Sequence, residues 1–532
     1  MRSSGIFGSA RSAGPRGAKQ GDRILERNDR HLRTDGLQED LRGRSIRGGA
    51  ATMAAQAGRF ALTVGSTMIL ARILTPRDFG LIAMVVAVMM FLVILRDLGL
   101  PTATVQQAVV TQEQVSTLFW LNGLLGLAVA VITIILAPLL VRFYGEPALL
   151  GITPLFGVVS LIDALSLQHR ALLRRRMRFG ALAAVELFSQ LVGVAAAVAT
   201  AWKGGRFWSL LVLRLVTASV QTLLCWRICD WRPDRRFRPA EVRGMIAFGG
   251  YLSGSRLVRS VGRNLDRILI GRFTDARLLG LYAKAAGWLV APFQQLSFPV
   301  ARVAVPVLSR LQDEPDRYRR YWRQGMLLMT TLGMPVICFL VLDTRKVIYL
   351  LLGDQWEAAI PIFRILSPVA LVTLLHMGTG WAYVSLGRAA RQLRWEIAAT
   401  AVTAAAFLIG IKWGPAGVAA GFSIASGILL LPGALYCFRG SPIRMSDFYG
   451  TIGRPAAAAL LAGGGLALLM SLDGYPGSPL SALWIDLPLF LALDGIGWIV
   501  VPGGRRVLTD LARLLRDLRK NNRKPGDTIP NS

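Results

Sequence analysis

The chain has 532 residues, 53% of them hydrophobic, with a mean hydropathy of +0.48 and a formal net charge of +30. That hydropathy excludes an ordinary soluble domain. The apolar residues gather in continuous runs of about 20, the length that crosses a hydrocarbon core of roughly 30 Å, and continuity excludes the alternating strands of a β-barrel.

Residues 1–47 carry 11 Lys and Arg and lack an apolar h-region, so they do not read as a secretory signal peptide. They read as a basic, disordered cytoplasmic tail, or as the product of an upstream start codon. Fourteen spans follow, near 48–71, 79–100, 116–140, 148–168, 181–201, 207–226, 245–271, 278–309, 324–342, 359–386, 395–413, 416–438, 455–472 and 480–501. The expected organisation is a six-helix bundle (48–228), a cytoplasmic linker (229–243), a second six-helix bundle (244–438) and two additional helices (439–504). Residues 505–532 form a basic cytoplasmic tail that opens on a short amphipathic helix. With the N-terminus inside, the inside loops hold 22 Lys and Arg and the outside loops 10, counting Lys412 at the very end of the eleventh span with the loop that follows it. That is positive-inside bias, and it accounts for the net charge without invoking nucleic acid. Two basic stretches, "HRALLRRRMRF" (169–179) and "WRICDWRPDRRFRPAEVR" (226–243), carry most of it.

The chain repeats itself. "LARILTPRDFGLIA" (70–83) and "IGRFTDARLLGLYA" (270–283) align without gaps at an offset of 200, so that Arg72, Arg77, Gly80, Leu81 and Ala83 meet Arg272, Arg277, Gly280, Leu281 and Ala283. Gly49 and Arg59 likewise meet Gly249 and Arg259. Each copy lies on a first span, a short outside turn and a second span. Six spans separate the copies, so both enter the membrane in the same direction, as parallel repeats do, with a substrate cavity between the bundles. The proline and the shared glycine read as a tight turn and the start of the next helix, and the arginines as interfacial anchors.

Charge inside the spans marks the candidate site, since a cation at the bilayer centre costs roughly 2.5–3.5 kcal/mol on insertion scales. Ten basic residues fall there: Arg59, Arg96, Arg214, Arg256, Arg259, Arg263, Arg267, Lys284, Arg302 and Arg364. At about 100° per residue, Arg256, Arg259, Arg263 and Arg267 share one face of the seventh span. Guanidinium groups pair with phosphate oxygens, so Arg59, Arg256, Arg259, Arg263, Arg267 and Lys284 are the candidate substrate-binding residues. Snorkelling of the end arginines to an interface is the competing placement. Asp163, Glu186 and Asp266 are ion-coupling candidates. Partnering Arg96 or Arg214 is the other reading of the first two, and neutralising a neighbour that of Asp266. Pro292, Pro299 and Pro306 recur every seven residues along the eighth span. They suit a hinge, or a merely curved helix. The four cysteines and three histidines form no metal pattern, and no G-x-x-x-x-G-K-[ST] loop is present. No cofactor is expected; coupling to a Na+ or H+ gradient is left open.

"ARILTPRDFGLIAMV" (71–85) and "NLDRILIGRFTDARLLGLYAKA" (264–285) resemble signatures of the polysaccharide transport family, in the multidrug/oligosaccharidyl-lipid/polysaccharide exporter superfamily. The resemblance covers about 45–440 and implies a lipopolysaccharide or exopolysaccharide flippase of the bacterial inner membrane, with both termini cytoplasmic and no enzymatic activity. It implies translocation of an undecaprenyl-diphosphate-linked oligosaccharide by alternating access, the lipid tail staying in the bilayer. A polysaccharide polymerase and chain-length or export machinery would be its partners. Three alternatives stand: a peptidoglycan lipid-precursor flippase, a multidrug or cation antiporter, and a membrane-bound polysaccharide-synthesis enzyme.

Overall fold

The computed structural model describes residues 41–107, 109–235, 237–238, 242–472, 479–505 and 507–509. Side chains of some helical residues in these ranges also lie outside the description, among them Arg256, Arg259, Arg263, Arg302, Pro292 and Pro299. Of the tail expected over 1–47, residues 1–40 fall outside the described residues, as does most of the amphipathic C-terminal helix; residues 41–47 are not a disordered tail but the first turns of the helix Leu41–Ile73.

All regular structure among the described residues is helical. The first bundle comprises α1 (Leu41–Ile73), α2 (Pro76–Asp97), the short α3 (Leu100–Gln106), α4 (Gln112–Tyr144), α5 (Leu149–Ala164), α6 (Leu167–Arg175), α7 (Phe179–Trp202) and α8 (Trp208–Ile228). The second comprises α9 (Arg243–Phe273), α10 (Ala276–Arg310), α11 (Pro315–Leu342), the short α12 (Thr344–Leu351), α13 (Ile360–Ser385), α14 (Ala389–Gly410) and α15 (Gly414–Phe438). The additional helices α16 (Met445–Met470) and α17 (Pro479–Val500) close the order. The chain is an all-α polytopic membrane protein. Among the described residues, ten stretches are long and apolar enough to cross a membrane by length and composition. One of them joins α14 and α15, and α1, α9 and α10, each interrupted by Arg or Lys, are not among them. The count of fourteen crossings rests on those three. Trp202, Trp208 and Trp413, at the ends of α7, α8 and α14 expected to lie outside, are 76%, 43% and 69% exposed, as aromatic residues at a membrane–water interface are.

The repeated turns begin helices by the same device. Thr75 caps α2: its side chain accepts from the Asp78 amide, Asp78 accepts in return from the Thr75 amide, and Pro76 occupies the first turn. Asp275, at the equivalent position, caps α10 by accepting from the Leu278 amide at 2.7 Å.

The pairings of helices repeat as well. α1 packs on α7 and α9 on α14; α7 packs on α8 and α14 on α15; α5 packs on α8 and α13 on α15. The two bundles meet along α2 and α10. Here the shared glycine has a role different from the expected turn. A Cβ on Gly80 would fall 1.5 Å from the Ala276 carbonyl oxygen, and one on Gly280 would fall 1.9 Å from that of Pro76. Positions 80 and 280 are equivalent in the repeat, and so are 76 and 276. The contact is thus a pseudo-twofold crossing in which each helix lays backbone against the other's glycine. The repeated glycine in the first span pair does similar duty at the other end, where a Cβ on Gly249 would fall 1.9 Å from the Leu98 carbonyl oxygen.

A strap from the second bundle covers the end of α1. Arg72 donates to the Leu350 carbonyl at 3.0 Å, Gln355 to that of Leu74 at 3.1 Å, and the Trp356 indole to that of Ala71 at 2.9 Å. These bonds satisfy carbonyls that a helix end leaves open. Trp356 is fully buried, edge-on to Phe79 at 5.4 Å. Trp356→Ala removes this wedge and its bond and should cost about 3–5 kcal/mol, the range for large aromatic truncations. Thermal unfolding in detergent measures it; a change under about 1 kcal/mol would show that the strap bears little of the interface.

Two basic stretches are more ordered than loops. Residues 167–175 form α6 and bury Leu172, Leu173 and Arg175, whose guanidinium donates to the Thr104 carbonyl at 3.1 Å. The linker is bound to the start of α4. Trp231 is fully buried and donates to Gln112 at 2.6 Å, Trp120 donates to the Asp234 carbonyl at 2.7 Å, and Arg238 pairs with Glu113 at 2.8 Å.

Candidate functional site

Two cations from opposite bundles lie within electrostatic reach of one another. Arg214 of α8 is open to solvent and yet lies deep within the protein, and Lys284 of α10 is half-exposed and equally deep. They are close enough to repel one another. Asp163 is the acid within electrostatic reach of Arg214. Neither cation forms an ion pair among the described residues. The Lys284 ammonium sits 4.0 Å from the centre of the Phe79 ring, a cation–π contact that also ties it to the strap through Trp356. Lys284 was legible as a candidate from sequence. Arg214 is among the intramembrane cations that sequence marks but not among its site candidates, because nothing in its local sequence distinguishes it; its nearness to Lys284 of the other bundle does.

The other candidates fall into separate groups. Arg59 pairs with Glu186 at 2.8 Å within the first bundle, with Gln190 and Thr63 bonded beside them at 2.9 Å. Arg174 of α6 lies within electrostatic reach of Arg59, Arg170 and Glu186. Asp163 and Glu186 have different partners. Buried Arg96 bonds Asp97 at 2.8 Å and the Ser160 carbonyl at 2.9 Å, with Asp163 at 3.9 Å. Partnering thus engages both acids, Asp163 through the expected Arg96 and Glu186 through Arg59 instead. Asp266 is buried; it accepts from the Tyr282 hydroxyl at 2.9 Å and from the Arg267 amide at 2.8 Å. The Arg267 guanidinium donates to Asn264 at 3.3 Å, and its Nε is buried without a hydrogen-bond partner. The side chains of Arg256, Arg259 and Arg263 lie outside the description, so the stripe is represented by Arg267. α10 is helical throughout 276–310, including positions 292, 299 and 306, and Pro306 is exposed. No group of three metal-ligating side chains occurs among the described residues.

The sequence profile of the polysaccharide biosynthesis protein family matches residues 69–361, more than half of the chain and both copies of the repeated turn. The chain belongs to that family. It is 26% identical over 308 residues to the teichuronic acid biosynthesis protein TuaB of Bacillus subtilis, covering 58% of this chain and 64% of the relative. It is 24% identical over 361 residues to the lipopolysaccharide biosynthesis protein WzxC of Escherichia coli, covering 66% and 73%. It is 27% identical over 313 residues to the succinoglycan biosynthesis transport protein ExoT of Rhizobium meliloti, covering 58% and 63%. This member of the family thus spans about two thirds of the length of these relatives. Its fold is similar to that of the lipid II flippase MurJ, with a TM-score of 0.66 at 12% identity over 85% of this chain and 98% of that one. It is also similar to a multidrug resistance MATE family transporter, with a TM-score of 0.59 at 13% identity over 76% and 99%.

Proposed function

We propose that the protein is a flippase for a lipid-linked oligosaccharide repeat unit, an undecaprenyl-diphosphate-linked precursor of a lipopolysaccharide or exopolysaccharide, in the bacterial inner membrane. Membership of a polysaccharide biosynthesis family and relatives named for teichuronic acid, lipopolysaccharide and succinoglycan support the polymer class. The observation that carries the mechanism is the pair Arg214 and Lys284, two cations from opposite bundles that form no ion pair among the described residues. An unpaired cation in a low-dielectric interior is costly unless a ligand supplies the counter-charge. A diphosphate does so, and guanidinium and ammonium bind phosphate oxygens by charge-assisted bonds. Because one cation comes from each bundle, rocking of the bundles changes their separation and hence the hold on the diphosphate. The tail of the lipid stays outside in the bilayer. Cytoplasmic termini, acceptance of the precursor from glycosyl transfer on the inner face and delivery to a polymerase outside complete the reading.

The test is reconstitution into vesicles containing a labelled undecaprenyl-diphosphate-linked oligosaccharide. Protein-dependent exposure of the sugar to an external glycosidase is expected. Absence of protein-dependent exposure, in vesicles whose reconstituted protein is folded, would sink the proposal. A second set of vesicles carries the peptidoglycan lipid precursor, and faster movement of that lipid would transfer the assignment to the runner-up.

A further inference from the structure

A second cationic group lies farther from the repeated turns than Arg214 and Lys284. Arg59 comes 14 residues before Ile73, the end of α1, and hence about 21 Å along that helix from the turn. Arg214 comes six residues after Trp208 and Lys284 eight after Ala276, about 9 and 12 Å from the same end. Arg206, just before α8, reaches Asp78 of α2 at 3.9 Å, which places the start of α8 at that end too. The two groups are separated by on the order of 10 Å along the helices.

At the farther group, Arg59 Nη1 donates to Glu186 Oε2 at 2.8 Å. That is the one hydrogen bond of the Arg59 guanidinium among the described residues, so the rest of its edge stays open. The arginine side chain is 51% exposed and the glutamate 19%. Water screens such a pair, and its hold is correspondingly weak. Arg174 of α6 is open to solvent and within electrostatic reach of both Arg59 and Glu186, with Arg170 one turn before it. α6 packs on α7, which carries Glu186. Two arginines thus share one carboxylate, with a third beside them, and the group keeps a net positive charge.

The repeat holds the same device. α7 begins at 179 and α14 at 389, so positions 186 and 396 are equivalent, and both are glutamate. Arg59 and Arg259 are equivalent at the offset of 200. The register of the packed helices agrees. Gln190 of α7 donates to Thr63 of α1 at 2.9 Å. Thr400, the equivalent of Gln190, stands against Gly262 of α9, beside the equivalent of Thr63: a Cβ on Gly262 would fall 2.7 Å from Thr400 Oγ1. Acid and arginine therefore recur at matched registers of both helix pairs, as a device serving a shared cavity would and an isolated surface pair would not.

We propose that Glu186 is a displaceable counter-ion, which occupies Arg59 in the empty protein and yields it to a phosphate of an entering diphosphate before that group moves on to Arg214 and Lys284. A guanidinium binds phosphate through two parallel N–H bonds, where Glu186 takes one. The phosphodiester of an ordinary phospholipid carries a single negative charge, as Glu186 does, and gains little by the exchange. A diphosphate diester carries two and engages Arg174 as well. Glu186 sets a threshold that a diphosphate clears and a single phosphate does not, which is selection by competition. While the carboxylate holds Arg59, apparent affinity falls by the fraction of time the arginine is free. The identity of the ligand rests on the flippase reading; the exchange of anions on Arg59 does not.

Binding of inorganic pyrophosphate to the full chain in phosphatidylcholine nanodiscs, by equilibrium dialysis, tests the exchange. Glu186→Gln keeps an acceptor for Arg59 and removes the competing charge, so it should tighten pyrophosphate binding by about fivefold or more. Glu186→Ala serves in its place if that variant does not fold. Arg59→Gln should weaken binding, and adding Glu186→Gln to it should recover little of the gain, because the carboxylate acts through that arginine. Replacing part of the lipid by phosphatidylglycerol should weaken binding more in Glu186→Gln than in wild type, since a single phosphate then competes for Arg59. Unchanged or weaker binding by Glu186→Gln would overturn the proposal, the latter by making the carboxylate a support that orients Arg59. The same gain with and without Arg59 would overturn it as a general charge effect, and equal weakening by phosphatidylglycerol would overturn the selective role. None of these readouts uses transport, so failure of the vesicle assay and failure of the counter-ion are told apart.

Discussion

Lys284→Gln is expected to reduce export of the polymer by at least tenfold while leaving the protein in the membrane at wild-type abundance. The ammonium is half-exposed, lies over the Phe79 ring and forms no ion pair among the described residues. Its removal therefore leaves no orphaned carboxylate, and the fold loses little beyond a cation–π contact of about 0.5–2 kcal/mol. What is lost is a charge-assisted bond to the diphosphate, worth about 1.5–3 kcal/mol, which corresponds to about 10- to 100-fold in a rate if the bond is made in the translocating state. Arg214→Gln should act in the same direction. The double variant should lose less than the product of the two, because cations serving one ligand act as a unit. Lys284→Arg keeps the charge and should retain part of the activity. Polymer export in a deletion strain, normalised to membrane abundance, is the measurement. Wild-type export by Lys284→Gln and Arg214→Gln alike would remove the interior cation pair from the mechanism.

How far the sequence reached is clear from particular residues. The apolar runs and the alternation of basic loops gave the helices, because span length and loop charge are local properties. The 200-residue offset gave the two bundles, and the twin caps Thr75 and Asp275 sit where the repeat places them. The repeat also held the main inter-bundle contact, but Gly80 read as a turn residue, since a glycine near a proline looks the same whether it bends the chain or admits another helix. Only the Ala276 carbonyl against it separates the two meanings. "HRALLRRRMRF" read as a loop because its charge suits one, yet its buried leucines and Arg175 make it a packed helix. Pairing across distant segments was legible least. Glu186 finds Arg59 over 127 positions and Lys346 finds Asp486 over 140, and no spacing rule links such residues.

Gly80→Val is the substitution expected to damage the structure most. The new side chain would begin where the Ala276 carbonyl now lies, and backbone cannot rotate aside as a side chain can. α2 and α10 must then move apart, at the typical overpacking cost of about 1–3 kcal/mol or more. Gly280→Val meets the Pro76 carbonyl in the same way from the other bundle. The informative variant is the double one. If the two glycines form a single crossing, the first valine already separates the helices and the second finds room. The combined loss should fall short of the sum by about 0.5–3 kcal/mol, the size of coupling between contacting residues. Independent, additive losses would mean that the two sites are packed separately and that the pseudo-twofold contact is not one unit. Function supplies a second readout. Wedging this crossing apart parts the bundles beside the strap, so a cysteine at position 214 in a cysteine-free background should become more reactive toward a membrane-impermeant thiol reagent added outside. Stability loss without that gain in reactivity would separate the crossing from access to position 214. The glycine repeat would then serve assembly of the two bundles only.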